Sequence, residues 1–388
     1  MSSLTSSETP SPISEAPVSV LATSVSPSRV PEKSIPDLKR KWQLYGPDDL
    51  GARVAQIGGG EYIVGGLIAE RSLNIVVGES GHGKTPFLYQ LGLCVASGTP
   101  FLGRPVKQGR VLYMDYENGL GELDEMLARL KKHLNLVISP ADFLCFNIND
   151  CAPSWLKNGY GLVDLIKDVH PVLTIIDPLG SPFPKAEEKN DAANQLYTTL
   201  RGVMRKERTS IMLVHHLRKP SEERGGARLE DGNIRDFFKQ ARGASSLITG
   251  VDLRLGVDLP KGHSSGGSEV ALVVGGYGRV RGDIPIIRLG RAYGDDGEPL
   301  GYVEVTGVAL LNAEQQEAFG KLPSTMFRHK DAKLVYGKGP QATTDFLNKC
   351  ISCGILTKAN GLYQKITIQE TDQTISNNPL QSNTLLVQ

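Results

Sequence analysis

The sequence predicts an α/β fold in which a mainly parallel sheet is extended at one edge by antiparallel strands and followed by a small second domain. Three observations support this fold class. Between residues 55 and 215, short apolar runs rich in β-branched residues alternate with amphipathic helical patterns. Such runs are typical of strands that are covered by helices on both faces. After residue 250 strand patterns follow one another across Gly-rich turns, and after about residue 312 helical patterns return.

The parallel part of the sheet is expected to contain strands that alternate with helices. The expected strands are residues 73–77, 111–114, 144–148, 172–176 and 211–214. The expected helices are residues 86–97, 122–134, 162–169 and 192–207. Later strands are expected at residues 251–257, 269–275, 284–289 and 302–308. No long helical pattern separates these later strands, so they are expected to pair in an antiparallel manner at the sheet edge.

The chain is expected to divide into four segments. Residues 1–38 contain 11 Ser and 6 Pro without apolar periodicity. This segment is expected to be disordered, because it cannot bury enough surface to offset its ordering entropy. Residues 39–311 are expected to form the main α/β domain, residues 312–370 a small second domain, and residues 371–388 a flexible tail.

The composition excludes several classes of protein. The formal net charge is +1, so any contact with nucleic acid must come from local charge. The five cysteines are too few for a disulfide framework, and the pair Cys350-x-x-Cys353 lacks the further ligands that zinc needs. Buried free thiols are therefore expected. The sequence has no membrane-spanning apolar stretch and no secretory leader pattern, so a cytoplasmic protein is expected.

The most specific motif directly follows the first expected strand and precedes a helix. It matches the phosphate-binding pattern G-x-x-x-x-G-K-[ST], and its residues are Gly78, Glu79, Ser80, Gly81, His82, Gly83, Lys84 and Thr85. Its glycines allow successive N–H groups to point at phosphate oxygens, and the following helix adds its positive dipole end. Lys84 is expected to bridge the β- and γ-phosphates of ATP, and Thr85 to ligate Mg²⁺. Pro86, which directly follows, is also expected to line this ATP site. A proline is acceptable there because the first turn of a helix tolerates it.

Three further strand ends carry polar residues into the crevice where open α/β sheets bind ligands. Asp177 ends a buried strand and is expected to be the second Mg²⁺-side residue; the alternative is a turn residue before a proline. Asp115 and Glu117 end another strand, and one of them is expected to act as the general base toward the attacking water. His215 and His216 end a third strand, where they could sense the γ-phosphate.

In this order and spacing, the motifs resemble the RepA-like hexameric replicative helicases of plasmids, within the wider RecA/DnaB-type ATPases. The resemblance covers roughly residues 55–258. The matching stretches are residues 77–85, 111–118, 173–179, 210–216 and 240–247. It implies a RecA-like ATPase core that uses ATP and Mg²⁺ and assembles as a homo-oligomer, with a ring of six as the family expectation.

The resemblance also implies roles for individual residues. Glu117 falls on the catalytic glutamate of the family, and His215 or His216 falls on its γ-phosphate sensor. Arg242 falls on an arginine of the R-G-x-S segment, which would stabilise charge on the transferring phosphoryl group of a neighbouring subunit. The alternative for Arg242 is a salt bridge that orders its own helix.

Two regions are candidates for contact with DNA. Residues 217–241 form a long polar loop, and RecA-type proteins bind single strands with the loops after this strand; its candidate contacts are Arg218, Lys219, Arg224 and Arg228. A solvated insertion is the alternative for this loop. Residues 321–368 have eight Lys or Arg and two Asp, and their pattern of helix, turn and strand resembles a winged-helix domain. A winged helix that binds protein is the alternative there.

Two functions from different classes remain open at this point. The first is an oligomeric, DNA-dependent ATPase of helicase type, acting in replication or maintenance of a plasmid, phage or mobile element. The second is an ATP-gated DNA-binding regulator or adaptor without unwinding activity. A recombination mediator of the RecA kind is a weaker third reading.

Overall fold

The computed structural model describes residues 35–42, 44–57, 61–147, 161–218, 226–231, 233–260, 270–279 and 282–366. The predictions for residues 1–34 and 367–388 lie outside this range, as do the candidate DNA contacts Lys219 and Arg224.

The chain divides into two compact units, Met1–Gly58 and Gly59–Gln388. The first unit contains helices α1 (Ile35–Trp42) and α2 (Pro47–Ile57). An ion pair of 2.6 Å between Lys39 Nζ and Asp49 Oδ2 joins them. The predicted disorder was therefore wrong for residues 35–38. Acidic Asp37 in the first turn of α1 and basic residues in its last turn favour the helix through its dipole.

In the second unit, nine of the described strands form one sheet. A separate hairpin, β1 (Tyr62–Val64) and β2 (Ile68–Ala69), precedes it. The strands of the sheet are β3 (Leu73–Gly78), β4 (Val111–Asp115), β5 (Phe143–Asn147), β6 (Leu173–Asp177), β7 (Ser210–His216), β8 (Leu253–Asp258), β9 (Leu272–Gly278), β10 (Gly282–Tyr293) and β11 (Pro299–Glu304). Their order in space is β11-β10-β9-β8-β3-β7-β6-β4-β5.

The helices of the core connect these strands. They are α3 (Lys84–Ser97), α4 (Leu120–His133), α5 (Leu162–Val169), α6 (Pro184–Glu188), α7 (Asn190–Glu207), α8 (Ile234–Phe238) and α9 (Ser246–Thr249). The short helices α6, α8 and α9 were not predicted, since a helix of one turn leaves little periodic signal.

Six neighbouring strands run parallel, in the spatial order β8-β3-β7-β6-β4-β5. Strands β9, β10 and β11 continue the sheet beyond β8 in antiparallel pairs. The predicted α/β class, with antiparallel strands at one edge, is confirmed. One detail was wrong: β8, predicted at residues 251–257 as an antiparallel addition, is parallel to β3. Helices α8 and α9 lie between β7 and β8 in the chain, so this connection passes over β3 as a helical crossover of the kind that parallel strands need.

Both faces of the sheet are buried by helices, as the continuous apolar runs predict. In β3, Val76 faces one apolar cluster, while Ile75 and Val77 face the other. In β7, Leu213 and Val214 divide in the same way. The carboxyl ends of six parallel strands therefore meet at one edge of a sheet whose two faces are each covered by an apolar cluster.

The end of the described chain contains three helices and a hairpin. They are α10 (Ala313–Lys321), α11 (His329–Tyr336), α12 (Pro340–Ser352), β12 (Leu356–Ala359) and β13 (Leu362–Lys365). An antiparallel bridge joins Phe327 to Tyr363, and these elements share a hydrophobic cluster of their own. Helix α12 and strands β12 and β13 agree with the pattern of helix, turn and strand predicted within residues 321–368. The winged-helix assignment, and the independence of this region as a domain, stay predictions.

The central strand β7 allows a test of the two-faced core. Leu213 is fully buried, so Leu213→Ala is expected to lower the free energy of unfolding by about 2–5 kcal/mol, because it leaves a cavity. The exposed Leu334 is the matched control, since its replacement by Ala should change this value by less than about 0.5 kcal/mol. Urea denaturation measures the free energy of unfolding of both variants. Equal decreases in the two variants would contradict the burial of Leu213 in the core of the sheet.

Candidate nucleotide site

A cavity of about 590 Å³ opens at the carboxyl ends of the parallel strands. Its wall includes the phosphate-binding loop, residues at the ends of β4, β6 and β7, helix α4 and the β10–β11 hairpin. Strand register brings these ends together, because Gly78 lies beside His216 and Asp115 lies beside Asp177. The edge at which the motifs were predicted to meet is thus the edge that contains the cavity.

The phosphate-binding loop requires glycine at several positions. Gly81 and Gly83 have φ values of 79° and 80°, a region that L side chains rarely adopt. A Cβ atom on Gly78 would lie 2.4 Å from the carbonyl oxygen of Val257, and one on Gly83 would lie 2.5 Å from the hydroxyl of Tyr302. The loop is therefore fitted between β8 and β11, and α3 begins directly after it at Lys84.

Lys84 is a buried cation. Its side chain donates to the carbonyl oxygens of Gly78 at 3.0 Å and Glu79 at 2.7 Å, and Nζ lies 3.5 Å from Nδ1 of His216. Burial lowers the pKa of Lys84, while the charges of Asp177 and Glu117 act in the opposite direction. The main chain therefore holds the Lys84 side chain at the wall of the cavity.

Thr85 and Asp177 form a pair of oxygen ligands at the cavity. The Thr85 hydroxyl donates to Asp177 Oδ2 at 2.9 Å, and the hydroxyl of Tyr113 donates to the same oxygen at 2.7 Å. Asp177 is 2% exposed. Burial raises its pKa to about 6, against the lowering effect of the two hydrogen bonds.

These residues fit a magnesium ion. A hydroxyl and a carboxylate are the oxygen donors that Mg²⁺ prefers, and proteins usually supply only one or two such ligands beside those of the nucleotide. Both donors, from α3 and β6, already lie within hydrogen-bond distance of each other at the cavity wall.

Asp115 and Glu117 have different environments. Asp115 is fully buried, and its carboxylate accepts hydrogen bonds from the backbone N–H groups of Glu117 and Asn118, from the Asn118 amide, and from the Tyr89 hydroxyl. Glu117 is exposed and lines the cavity. Asp115 therefore holds the turn that presents Glu117, and only Glu117 faces the space that a substrate would occupy.

The two histidines that end β7 point to opposite faces of the sheet, as consecutive residues of a strand must. His216 lines the cavity beside Lys84. Burial, followed by the Lys84 charge, lowers the pKa of His216 to about 4. His215 is fully buried on the other side, with Nδ1 3.2 Å from Glu187 Oε1 and Nε2 2.6 Å from the carbonyl oxygen of Arg242. Only His216 is in a position to contact a nucleotide in this cavity.

The remaining residues of the predicted ATP site divide into two groups. The cavity wall includes Ser80, Gly81, Gly83, Lys84, Thr85 and Pro86. His82 instead lies between Glu79 and Asp258, with ring nitrogens 3.5 Å and 3.6 Å from their carboxylates. Gly78, Glu79 and His82 are outside the wall of the cavity, and the first two contact Lys84 through their carbonyl oxygens.

Part of the cavity wall could not be found from the motifs. The β10–β11 hairpin contributes Arg291 and Tyr302, and helix α4 contributes Met126. Two hydrogen bonds of 2.8 Å between the Gln90 side chain and the main chain of Tyr302 attach the hairpin to α3. These residues are remote in sequence from the phosphate-binding loop, and no local pattern marks them.

Arg242, the candidate finger, is exposed. Its backbone N–H donates to the backbone carbonyl oxygen of His216 at 3.0 Å. The two described candidates for DNA contact differ from each other. Arg218 is exposed and donates to the Gly243 carbonyl oxygen at 3.4 Å, whereas Arg228 forms an ion pair of 3.2 Å with the buried Asp258 and donates to the Leu259 carbonyl oxygen.

Other site types find no support in the described part of the chain. No group of three or more His, Cys, Asp or Glu side chains there is arranged to hold a metal ion. Cys94 and Cys350 are buried free thiols, as expected, whereas Cys145 is exposed. No helix among the described residues combines the length and the apolar character needed to cross a membrane.

Comparison with protein families supports a nucleotide site at this position. Residues 48–222 match the family model of an AAA domain. The matched region contains the phosphate-binding loop, Glu117, Asp177 and the histidine pair, and it ends before Arg242. The match supports the broader part of the sequence prediction, an ATPase domain built around the phosphate-binding loop. The specific assignment to RepA-like helicases stays a prediction.

No curated protein matches the sequence. Among solved structures, a KaiC-like protein from the hyperthermophilic archaeon Pyrococcus horikoshii is similar, with 14% sequence identity and a TM-score of 0.42. That alignment covers 64% of this chain and 95% of the other.

The raised pKa of Asp177 predicts how magnesium binding depends on pH. The carboxyl group must lose its proton to bind a cation, and its pKa is about 6. The affinity for Mg²⁺ with a nucleotide should therefore fall as the pH decreases below about 6, by up to about tenfold per pH unit. Fluorescence titration of a nucleotide analogue with Mg²⁺ between pH 5 and 8 measures it. Asp177→Asn should bind weakly with a shallower pH dependence; an unchanged slope would assign the titration to the nucleotide alone.

Proposed function

We propose that this protein is a Mg²⁺-dependent ATPase of the RecA type that acts as an oligomer on DNA. The observation that supports the ATPase most directly is the convergence of Lys84, the Thr85–Asp177 pair and Glu117 on one cavity. These side chains come from a loop and two strand ends that are separated in sequence. A Gly-rich surface turn would not require such a convergence.

The binding of the phosphates follows from the loop and the helix behind it. Backbone N–H groups of the loop and the N-terminus of α3 attract the phosphate oxygens. Lys84 neutralises charge on the β- and γ-phosphates. Thr85 and Asp177 hold Mg²⁺, which when bound supplies positive charge that stabilises the transferring phosphoryl group.

Glu117 is the proposed general base. It accepts the proton of the attacking water as the water adds to the γ-phosphorus and the ADP oxygen leaves. Its backbone is held by Asp115 through the N–H groups of Glu117 and Asn118, so the carboxylate is presented to the cavity by a turn with little freedom to move. The carboxylate of Asp115 already accepts four hydrogen bonds, which leaves it poorly placed for the same task.

His216 is the proposed γ-phosphate sensor. With a pKa of about 4 its ring is neutral near pH 7. Nδ1 faces the Lys84 ammonium and therefore accepts, which leaves the proton on Nε2. That N–H is available to donate to a phosphate oxygen.

The oligomer is proposed from the resemblance and from Arg242. An exposed arginine at the end of the segment that follows β7 suits contact with a neighbouring subunit. Arg242 would then complete the ATP site in trans as an arginine finger. A hexameric ring is the state that the RepA-like resemblance implies.

DNA is the proposed partner. The loop that contains Arg218 would contact a single strand, and the helix-rich C-terminal region would contact phosphates through its excess of basic residues. We infer a helicase-like role in replication or maintenance of a plasmid, phage or mobile element. The arrangement of α10, α11, α12 and the β12–β13 hairpin also favours a second candidate, an ATP-gated DNA-binding regulator, because helices followed by a β-hairpin can place one helix in a major groove.

Substitution of the proposed base separates binding from hydrolysis. Glu117→Gln is expected to bind ATP with an affinity close to that of the wild type and to lower kcat by about a hundredfold or more, within the range of a general base. Lys84→Ala is expected to lose turnover altogether. Steady-state hydrolysis and nucleotide titration give both values.

Asp115→Asn is the matched control for Glu117→Gln, because it makes the same replacement of a carboxylate by an amide at the neighbouring acidic residue. It should lower the protein's stability more than Glu117→Gln, since it disturbs a buried hydrogen-bond acceptor. If Asp115→Asn abolished hydrolysis in a stable protein while Glu117→Gln hydrolysed normally, the general base would be Asp115.

The two candidate functions differ in their response to DNA. A translocating ATPase should hydrolyse ATP severalfold faster with single-stranded DNA and displace a labelled strand from a forked duplex. A regulator should bind duplex DNA in an ATP-dependent manner without displacing a strand. If neither single-stranded nor duplex DNA changed the rate of ATP hydrolysis, and neither bound to the protein, both candidate functions would be contradicted. The protein would then be an ATPase with a different partner.

A further inference from the structure

The feature that carries a further inference is the buried side of β7, opposite the nucleotide cavity. His215 is 0% exposed there. Its Nε2 lies 2.6 Å from the carbonyl oxygen of Arg242, and its Nδ1 lies 3.2 Å from Glu187 Oε1. The ring therefore lies between two oxygen atoms, within hydrogen-bond distance of the Arg242 carbonyl and within ion-pair distance of the Glu187 carboxylate.

Glu187 lies between two glycines, one beside its carboxylate and one beside its main chain. A Cβ atom on Gly180, in the loop after β6, would lie 2.3 Å from Glu187 Oε1. A Cβ atom on Gly243 would lie 2.2 Å from the Glu187 carbonyl oxygen, and Gly243 has a φ of 80°. That carbonyl also accepts a hydrogen bond of 2.7 Å from the N–H of Ala244. At residue 243 only glycine permits so close an approach of two main chains, so the Arg242-Gly243 sequence is fitted to the end of α6.

The main chain of Arg242 is held through both its N–H and its carbonyl group. Its N–H donates to the carbonyl oxygen of His216 at 3.0 Å, and its carbonyl oxygen faces His215. His216 in turn lies 3.5 Å from the buried ammonium of Lys84. The main chain of Arg242 is therefore attached to the two residues that end β7, of which one faces the nucleotide cavity and the other faces Glu187.

The electrostatics of this contact agree with its geometry. The neighbouring His215 is the first cause that lowers the pKa of the Glu187 carboxyl, and the charge of Arg242 acts in the same direction. Glu187 is therefore an anion that faces cationic or donor groups on the segment it contacts.

We propose that His215 and Glu187 are positioning residues that fix the main chain of Arg242 relative to the nucleotide site. The proposal rests on the proposed ATPase function only for its catalytic consequence. The fixation of Arg242 is a property of the fold and is tested separately.

The first experiment measures amide hydrogen exchange in residues 240–247 without nucleotide. His215→Leu removes both contacts of the ring, whereas His215→Gln keeps one donor that can reach the Arg242 carbonyl. Exchange should be faster in His215→Leu than in wild type and intermediate in His215→Gln, while residues 73–85 should be unchanged. Equal exchange in residues 240–247 of all three proteins would overturn the proposal.

The surface provides a matched control. His170 is also paired with a glutamate, since its Nδ1 lies 3.7 Å from Glu207, but its side chain is 68% exposed. His170→Asn should change neither the exchange of residues 240–247 nor hydrolysis. If it had the same effect as His215→Leu, the effect would be one of general stability and the proposal would fail.

The second experiment is a double-mutant cycle on ATP hydrolysis. His215→Leu should lower kcat by about a hundredfold, the cost of a displacement of about 1 Å, with nucleotide affinity within about twofold of the wild type. The double variant with Arg242→Ala should be no slower than Arg242→Ala alone. Multiplied losses, or a normal kcat in Arg242→Ala, would overturn the catalytic part of the proposal.

Failure of the proposed function is distinguishable from failure of this inference. If the wild-type protein hydrolyses no ATP under any condition, the ATPase proposal fails and amide exchange alone decides whether His215 and Glu187 fix Arg242. Glu187→Gln then gives an independent check, since loss of the charge should also increase exchange in residues 240–247. Unchanged exchange in that variant would remove Glu187 from the proposal.

Discussion

The buried ammonium of Lys84 is the constraint on which the rest of the nucleotide site depends. A cation removed from water costs several kcal/mol of free energy unless oxygen acceptors or anions surround it. The carbonyl oxygens of Gly78 and Glu79 supply direct acceptors, and Asp177 and Glu117 supply charge at longer range. These groups come from β3, β6 and the turn after β4, and a parallel sheet brings the ends of these strands to one edge.

The same constraint assigns different tasks to the two faces of β7. A strand presents consecutive side chains to opposite faces, so His215 and His216 cannot both serve one site. His216 stands beside Lys84, and its low pKa follows from burial and from that neighbouring cation. His215 stands on the other face, where Glu187 and the Arg242 carbonyl occupy its two nitrogens. Two residues that look equivalent in the sequence therefore present their side chains to different surroundings.

Much of this could be predicted from the sequence, because the signals are local. The short apolar runs predict the parallel strands, and the spacing of Gly78, Gly83, Lys84 and Thr85 predicts a phosphate-binding loop. The choice between Asp115 and Glu117 needed a family resemblance. In the structure, hydrogen bonds explain it, since four of them occupy the Asp115 carboxylate.

The rest depends on contacts between segments that are distant in sequence. Glu187 lies in a single-turn helix without periodic signal, and its partner His215 follows only after another helix and strand. Tyr302 approaches the phosphate-binding loop from the antiparallel hairpin, which no motif connects with that loop. The parallel direction of β8 likewise follows from the crossover through α8 and α9, and its own residues do not encode it.

Calorimetric titration of the full chain with ATPγS and Mg²⁺ tests the central claim, that the carboxyl edge of the sheet holds a magnesium nucleotide through Lys84. The wild-type protein should bind the nucleotide saturably and in a magnesium-dependent manner, whereas Lys84→Ala should show no measurable binding while retaining the wild-type circular dichroism spectrum. Equal affinity in the wild type and in a folded Lys84→Ala variant would contradict the account.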